Sequence, residues 1–585
     1  MKNGLKKAAT LGLTGMLAAF EIGCGSGGTS LSGDGSSAET NTNAENSNME
    51  LEVTKTIKLD LSKAQTFNDT NGDGYGEFQG FGTSLCWWAN RVGYSDALTS
   101  QAATAFFDPE NGLGMTIGRY NIGGGDNVCD LSDSEIEALQ DENPFLHKSH
   151  IERSDSIVPG YCTDVTKIDL EANSKEYYEE NFDRADFDCG FAWNYDWEAD
   201  KNQMNVLKAA ADAAGDEFIA EAFSNSPPYF MTVSGCSSGG NDPSADNLRE
   251  DSYTAFACYM ADVIEHWAKE GVITFQSVDP MNEPATSYWE YSSPKQEGCH
   301  FSPGESQSRI LVELNNQLKE KGLDIIICGT DETSIDSAYQ SYITLTDEAK
   351  DVVTRIDTHA YQGTQRSTLK TLAETEGVNL WMSEVDGTYS IGMEEIGMQA
   401  ALGFADEIIR DLNGMMPTAW IMWDAVDIHV DSNNKFDTCT RAEADEIIAS
   451  GVPFWGIAIA DHDTEELLLG KKYYAFGQFT RYIRPGYCII GADDYAVAAY
   501  NPTDGSIVIV AINTRPDDVK WEFDLSDFEG KMSDKTVSVT RTSGTMADGE
   551  NWAEVSDCID SAAASNDQSF TAVLKASSVT TFVIK

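Results

Sequence analysis

Between about residues 80 and 480 the chain repeats one pattern, a short apolar run followed by a stretch with helical periodicity. The apolar runs include 114–122, 218–223, 273–278, 323–328, 353–356, 380–382 and 418–422. Helices are expected between them, at 252–269, 306–321 and 392–412. A helix after each strand carries the chain back to start the next strand in the same direction, so the sheet must be parallel. About eight such units close most economically into a (β/α)8 barrel. A doubly wound sheet is the alternative, but no nucleotide-binding fingerprint accompanies it.

Both flanks break the pattern. After Pro485, the runs 495–500, 506–513, 520–525, 536–542 and 578–584 are short, β-rich and separated by turn residues, which describes an all-β module. Residues 51–66 alternate apolar and polar as a strand does, lie outside the barrel pattern and can join that module. The organisation read from the sequence is a leader at 1–24, a tether at 25–50, the N-terminal strand region at 51–79, the barrel at 80–484 and the all-β module at 485–585.

The leader has Lys2, Lys6 and Lys7 before an apolar stretch at 8–20. That is a secretory signal, and it falls short of the roughly 20 apolar residues a membrane span needs. Cys24 and the Gly-Ser-Gly-Gly after it resemble a bacterial lipoprotein processing site, although Glu21 stands where an apolar residue is usual. Simple secretion with an incidental Cys24 is the other reading. Either way the chain is expected outside the cell, secreted or attached to the membrane through lipidated Cys24. The Gly/Ser/Asn-rich tether cannot bury enough surface to order itself.

Acidic residues outnumber basic ones by 96 to 39, a net charge of −57. A chain so acidic is a poor partner for nucleic acid or an anionic membrane surface. An uncharged glycan is compatible with it. The 41% hydrophobic and 10% aromatic content supplies a core, which argues against disorder. None of the twelve cysteines forms a CxxC pair, and the seven histidines show no HExxH spacing, so no zinc site is indicated. Disulfides and free thiols both stay open. Asp69–Gly80 starts like an EF-hand loop but has glycine at position twelve, so an Asx/Gly turn is the better reading. Gly123-Gly-Gly lacks the Lys-Ser/Thr of a phosphate loop, and no Gly-x-Ser-x-Gly elbow occurs. No metal and no cofactor are expected.

Two segments carry the chemistry. One apolar strand ends in Asn282-Glu283-Pro284, and another ends in Ser383-Glu384 before a Gly387 turn. Catalytic residues of (β/α)8 barrels sit at the C-terminal ends of the strands. Two carboxylates on one rim are what glycosidic bond cleavage requires, one to protonate the leaving oxygen and one to attack the anomeric carbon or activate water.

With these segments the chain resembles the retaining (β/α)8 glycoside hydrolases, and further motifs are similar to family 30 among them. They are Gly80-Phe-Gly-Thr-Ser-Leu-Cys-Trp87-Trp88-Ala89, Gly118-Arg119-Tyr120-Asn121-Ile122-Gly-Gly-Gly-Asp126-Asn127, Phe223-Ser-Asn-Ser-Pro-Pro-Tyr229 and the segment Tyr473–Gly486. The first two, with Gln296-Glu-Gly-Cys-His300, look like the endo-β-1,6-galactanase subfamily. The resemblance implies a barrel with a β side sandwich, double displacement with Glu283 as acid/base and Glu384 as nucleophile, and β-1,6-galactan of arabinogalactan as the substrate. Other family specificities (β-1,6-glucanase, xylanase or glucosylceramidase-like) and a non-catalytic surface glycan-binding protein are the alternatives. The chain departs from the pattern at Val385-Asp386-Gly387, where an aromatic is usual, and at Trp420-Ile-Met-Trp423-Asp424. Expected sugar-binding groups are Asn282, Arg119, Trp88, Trp289, His359, Tyr361, Trp420 and Trp423, with Trp87 and Tyr291 nearby. A monomer is expected.

Overall fold

A computed structural model describes residues 51–125, 151, 156–186, 188–291, 295–387, 398–432, 442 and 455–585. The leader, the tether, Cys24, Asp126, Asn127 and the first residues of the helix expected at 392–412 lie outside the described residues.

Eight parallel strands close into a barrel: β1 (Gly80–Ser84), β2 (Ile117–Asn121), β3 (Ile219–Phe223), β4 (Phe275–Asp279), β5 (Ile326–Ser334), β6 (Val353–Gln362), β7 (Asn379–Glu384) and β8 (Ala419–Asp424). Strand β8 returns to β1 through Ala419↔Gly80, Trp420↔Phe81, Ile421↔Gly82 and Met422↔Thr83. The strands are buried on both faces, which is why they read as continuous apolar runs. The helices cover the outside with one apolar stripe each. In Tyr253–Lys269 the stripe is Phe256, Tyr259, Met260, Val263, Ile264 and Trp267, spaced at three, four, seven, eight and eleven residues. A fully apolar barrel interior is the usual arrangement. Here only the bottom is apolar, with Ile117, Trp381, Ala419 and Ile421 packed together. Above them lie buried charges. Arg355 donates to Asp357 at 2.6 and 2.7 Å and to Ser277 Oγ at 3.3 Å, pairs with Glu221, and stacks on the Trp381 ring.

Both chain ends build the side sandwich. One sheet has six strands, in the order Cys488–Asp493, Ala496–Tyr500, Ile507–Asn513, Ser578–Ile584, Val537–Ser543 and Glu550–Val555. The other joins Val53–Lys58 to Val519–Asp524 and Ser569–Leu574, with Val53–Lys58 parallel to its neighbour from Val53↔Lys520 to Lys58↔Asp524. Ile57, Leu59, Ile509, Phe523, Phe570 and Phe582 fill the space between them. Helix Lys471–Thr480 lies between barrel and sandwich. Its Thr480 hydroxyl donates to Leu113 O, and its Tyr474 carbonyl accepts from Thr542 Oγ1. Two small sheets were not anticipated: Cys162–Lys167 with Arg184–Asp186 and Phe191–Tyr195, and Val426–Val430 with Ala458–Asp461 and Glu466–Leu469. Cys86, Cys162, Cys299, Cys328, Cys488 and Cys558 are free thiols. No helix among the described residues is long and apolar enough to cross a membrane.

Two buried carboxyls link stability to pH. Burial pushes Asp200 up to about 7, against hydrogen bonds from Tyr120, Gln203 and Asn90. Burial also pushes Glu332 up to about 7, against Ser341, Ala285 and Gln307. Both are ordinary carboxyls in the unfolded chain, so the folded state holds more protons between about pH 4 and 7. Their contribution is fully present below that window and is lost as pH rises through it. Thermal melts should therefore show a lower Tm at about pH 7.5 than at about pH 5.5, and Asp200→Asn should narrow the difference. A Tm rising across that interval in the wild type would contradict this.

Candidate active site

Glu283 and Glu384 come together at the C-terminal rim of the barrel. A carboxylate oxygen of each and a ring nitrogen of His359 all lie within 4.8 Å of one another. Glu384 ends β7, where Arg119 Nη1 from β2 donates to its Oε2 at 2.8 Å and the Tyr361 hydroxyl donates to its Oε1 at 3.1 Å. His359 Nδ1, from β6, stands 3.0 Å from Glu283 Oε1 and 3.5 Å from Glu384 Oε1. Glu283 also accepts from the Tyr288 hydroxyl. Its backbone has φ +48°, a left-handed conformation that costs a non-glycine residue about 1–3 kcal/mol. The Asp331 carbonyl holds it there by accepting the Glu283 N–H at 2.8 Å.

Electrostatics ties the residues into one unit. Burial pushes Glu384 up, to about 7, with His359 and Arg119 opposing and Glu283 and Asp331 adding to the rise. Arg119 is the permanent cation, and it favours charge on Glu384. Burial alone would lower His359, but Glu384, Asp331 and Glu283 outweigh it and raise it to about 10, which makes it an imidazolium at neutral pH.

The two glutamates open into a cavity of about 390 Å³, lined also by Trp87, Ser238, Asn282, Tyr288, Trp289, Lys295, Gln296, Tyr361, Asp386, Trp423 and Trp455. Trp87 and Trp423 meet edge to face at 5.0 Å, and Trp455 packs against the same cluster. Tyr288 and Trp289 form a second aromatic pair. The Trp289 indole is fixed because its Nε1 donates to Glu283 O at 3.0 Å. Its ring lies so close to Gly298 that a Cβ there would stand 2.2 Å from it. This accounts for the Gln296–His300 motif. Glu297 accepts from Gly124 N and Asn121 Nδ2, Gly298 leaves room for the indole, and His300 Nδ1 is 2.8 Å from Thr286 O.

Of the residues expected to bind sugar, Asn282, Trp289, Tyr361 and Trp423 line the cavity. Arg119 and His359 lie beneath it and touch the carboxylates rather than open space. Trp88 and Trp420 do not reach it. Trp88 is fully buried against Phe106, with Nε1 donating to Ser84 O. Trp420 packs on Phe404 and Phe476 outside the barrel, with Nε1 donating to Asp411. The reason is strand periodicity: Trp420 and Trp423 are an odd number of residues apart, so they face opposite sides of β8. Three residues went unread in the sequence: Asp331, Tyr288 and Trp455. Trp455 stands in the cavity beside Asp386, and its carbonyl accepts Gly387 N at 3.0 Å, so a later loop supplies an aromatic next to the strand end that lacks one.

The rim thus holds two close carboxyl groups at the floor of an aromatic-lined cavity. A family model described as O-Glycosyl hydrolase family 30 matches residues 170–360. The catalytic domain of GH30 xylanase C from Talaromyces cellulolyticus superposes with a TM-score of 0.59 at 18% identity, over 91% of this chain and 100% of that one, a likeness of fold. An Exo-beta-1,6-galactobiohydrolase of Bifidobacterium longum is 28% identical over 427 residues, 60% of this chain and 26% of that protein. An Endo-beta-1,6-galactanase of Hypocrea rufa is 30% identical over 453 residues, 75% of this chain and 79% of that protein. Likeness at that level, carried well beyond the segment the family model covers, makes this chain a member of glycoside hydrolase family 30.

Proposed function

We propose that this glycoside hydrolase is an exported, monomeric endo-β-1,6-galactanase acting by double displacement. The close approach of Glu283 and Glu384 carries the mechanism. Retaining enzymes hold their carboxyl groups about 5–5.5 Å apart, whereas inverting ones leave about 6.5–9.5 Å for a water. In this reading Glu384 attacks the anomeric carbon while Glu283 protonates the departing oxygen. Glu283 then takes a proton from water as that water displaces Glu384. Arg119 and Tyr361 aim the nucleophile, and Asn282 faces the sugar 2-hydroxyl. The aromatic groups stack on the apolar C–H faces of the sugars.

Two relatives named for β-1,6-linked galactose support the substrate. The cavity supports a neutral glycan, because its described lining has Glu283, Glu384 and Asp386 against Lys295 alone. Export follows from the leader, with lipid attachment at Cys24 as one form of it.

The test is a panel of β-1,6-galactan, β-1,6-glucan and glucuronoxylan. Galactan should be cut to oligosaccharides, with the β-anomer as the first product by NMR. An α-anomer at first appearance rules out double displacement. Preferential cutting of another polymer overturns the substrate. Binding without cleavage of any would leave a glycan-binding protein.

A further inference from the structure

Beneath the two glutamates lies a third carboxylate that contacts neither cavity nor solvent. Asp331 lies within β5, is fully buried and has φ +51°. One oxygen pairs with Arg119 Nη2. The other accepts from Ser383 Oγ at 2.7 Å and stands 3.2 Å from His359 Nε2. Arg119 in turn reaches Glu384 and, at 3.2 Å, Asn282 Oδ1, with its guanidinium stacked 3.6 Å over Phe223. His359 reaches both glutamates. Through its carbonyl, Asp331 also fixes the left-handed backbone of Glu283. One residue therefore contacts the two cations, the residue before the nucleophile and the backbone of the acid.

We infer that Asp331 is a positioning residue, a buried anion that fixes Arg119 and His359 against the glutamate pair and keeps His359 charged. The inference rests on the roles proposed for Glu283 and Glu384. A carboxylate beside His359 that never meets substrate is suited to this task, because its charge does not change as the sugar is transferred. The charged and titratable groups facing His359 are Asp331 from β5, Glu283 from the loop after β4, Glu384 from β7 and Tyr361 on its own strand. Those facing Asp331 are Arg119, His359, Asp279, Asp357, Glu384 and the Cys328 thiol. Burial pushes the Asp331 carboxyl up, but Arg119, His359 and Ser383 outweigh it and hold it below its usual value. Asp279 goes the other way: burial, with Asp331 and Asp357 near, holds it well above its ordinary range. Asp331 is therefore the anion that pairs with the imidazolium from below.

The test is Asp331→Asn in the full chain, which keeps shape and removes charge. With histidine-labelled protein, the His359 ring signal, assigned through His359→Gln, is followed by NMR from about pH 5 to 8. In the wild type it should stay that of an imidazolium throughout. In Asp331→Asn it should titrate within the window. Turnover should fall on the order of 100-fold in kcat, as for a misaligned reacting group, with KM little changed. An imidazolium persisting in the variant, or a kcat near that of the wild type, overturns the inference. The NMR arm needs no substrate, so it stands or falls apart from the glutamate assignment. Should Asp331→Asn not fold, Ser383→Ala decides, since it removes one of the two partners of an Asp331 oxygen, leaving His359 alone to hold it, and keeps every charge. A reduced kcat at unchanged KM supports the inference, and an unchanged kcat overturns it.

Discussion

Replacing Glu384 by glycine is expected to lower kcat by about 10⁴-fold or more, the scale of loss seen when a covalent nucleophile is deleted. The space left beside Arg119 and Tyr361 can admit a small anion. With azide and an activated aryl β-galactoside, Glu384→Gly should regain turnover and release an α-glycosyl azide, because azide enters from the face the carboxylate occupied. Glu283→Gly should behave differently. An activated aryl leaving group needs no acid, so the sugar reaches Glu384 normally and stalls there. Azide then attacks the covalent intermediate from the opposite face and gives the β-glycosyl azide. The two stereochemical outcomes separate the roles in a way that loss of activity cannot. If Glu384→Gly gives the β-azide, the assignment is inverted. If it retains near wild-type turnover, Glu384 is not the nucleophile.

Arg119→Ala is expected to be the most destabilising single substitution in the barrel interior, at about 3–5 kcal/mol, because removing one partner leaves buried charges uncompensated. Three carboxylates lose their shared counter-ion: Glu384 at 2.8 Å, Glu221 at 3.3 Å and Asp331. The stack on Phe223 is lost as well. Lysine is no conservative replacement, since it has no planar fork to reach three anions at once. The sign with pH is definite. Without the guanidinium these carboxyls have higher folded-state pKa values, so the variant's deficit should shrink in acid and grow as pH rises. Denaturant melts of both proteins at two pH values measure this. A variant as stable as the wild type would show that the network is not held by its charge.

The strand–helix alternation made the barrel legible, since each unit repeats a local pattern. The two glutamates were legible for the same reason, each closing an apolar run. Asp331 was hidden by a boundary. The apolar run at 323–328 stops at Cys328, and Gly329-Thr-Asp-Glu then reads as a turn, whereas β5 continues to Ser334. The charged interior was illegible in principle. Arg119, Glu221 and Arg355 are single polar residues in three separate strands, and only ring closure makes them neighbours. Trp88 and Trp420 illustrate a different limit. Nearness in sequence to a strand end does not say which side of the sheet a ring occupies. Trp455 comes from a loop far along the chain from Glu384, where no local period points to it.

The pairing of Val53–Lys58 with Val519–Asp524 imposes an order of events on folding. Thr54 hydrogen-bonds to Lys520 at a sequence separation of 466. This strand must wait for its distant partner before its edge is covered, and contacts of such separation are slow to form. If the chain leaves the cell N-terminus first, this strand emerges with its edge bare and the barrel follows before any partner arrives. Lys55 and Lys58 along that edge discourage pairing with other chains meanwhile. The side sandwich can close only once Val519–Asp524, Ser569–Leu574 and Ser578–Ile584 have been made, so its closure waits on the latest strands of the fold.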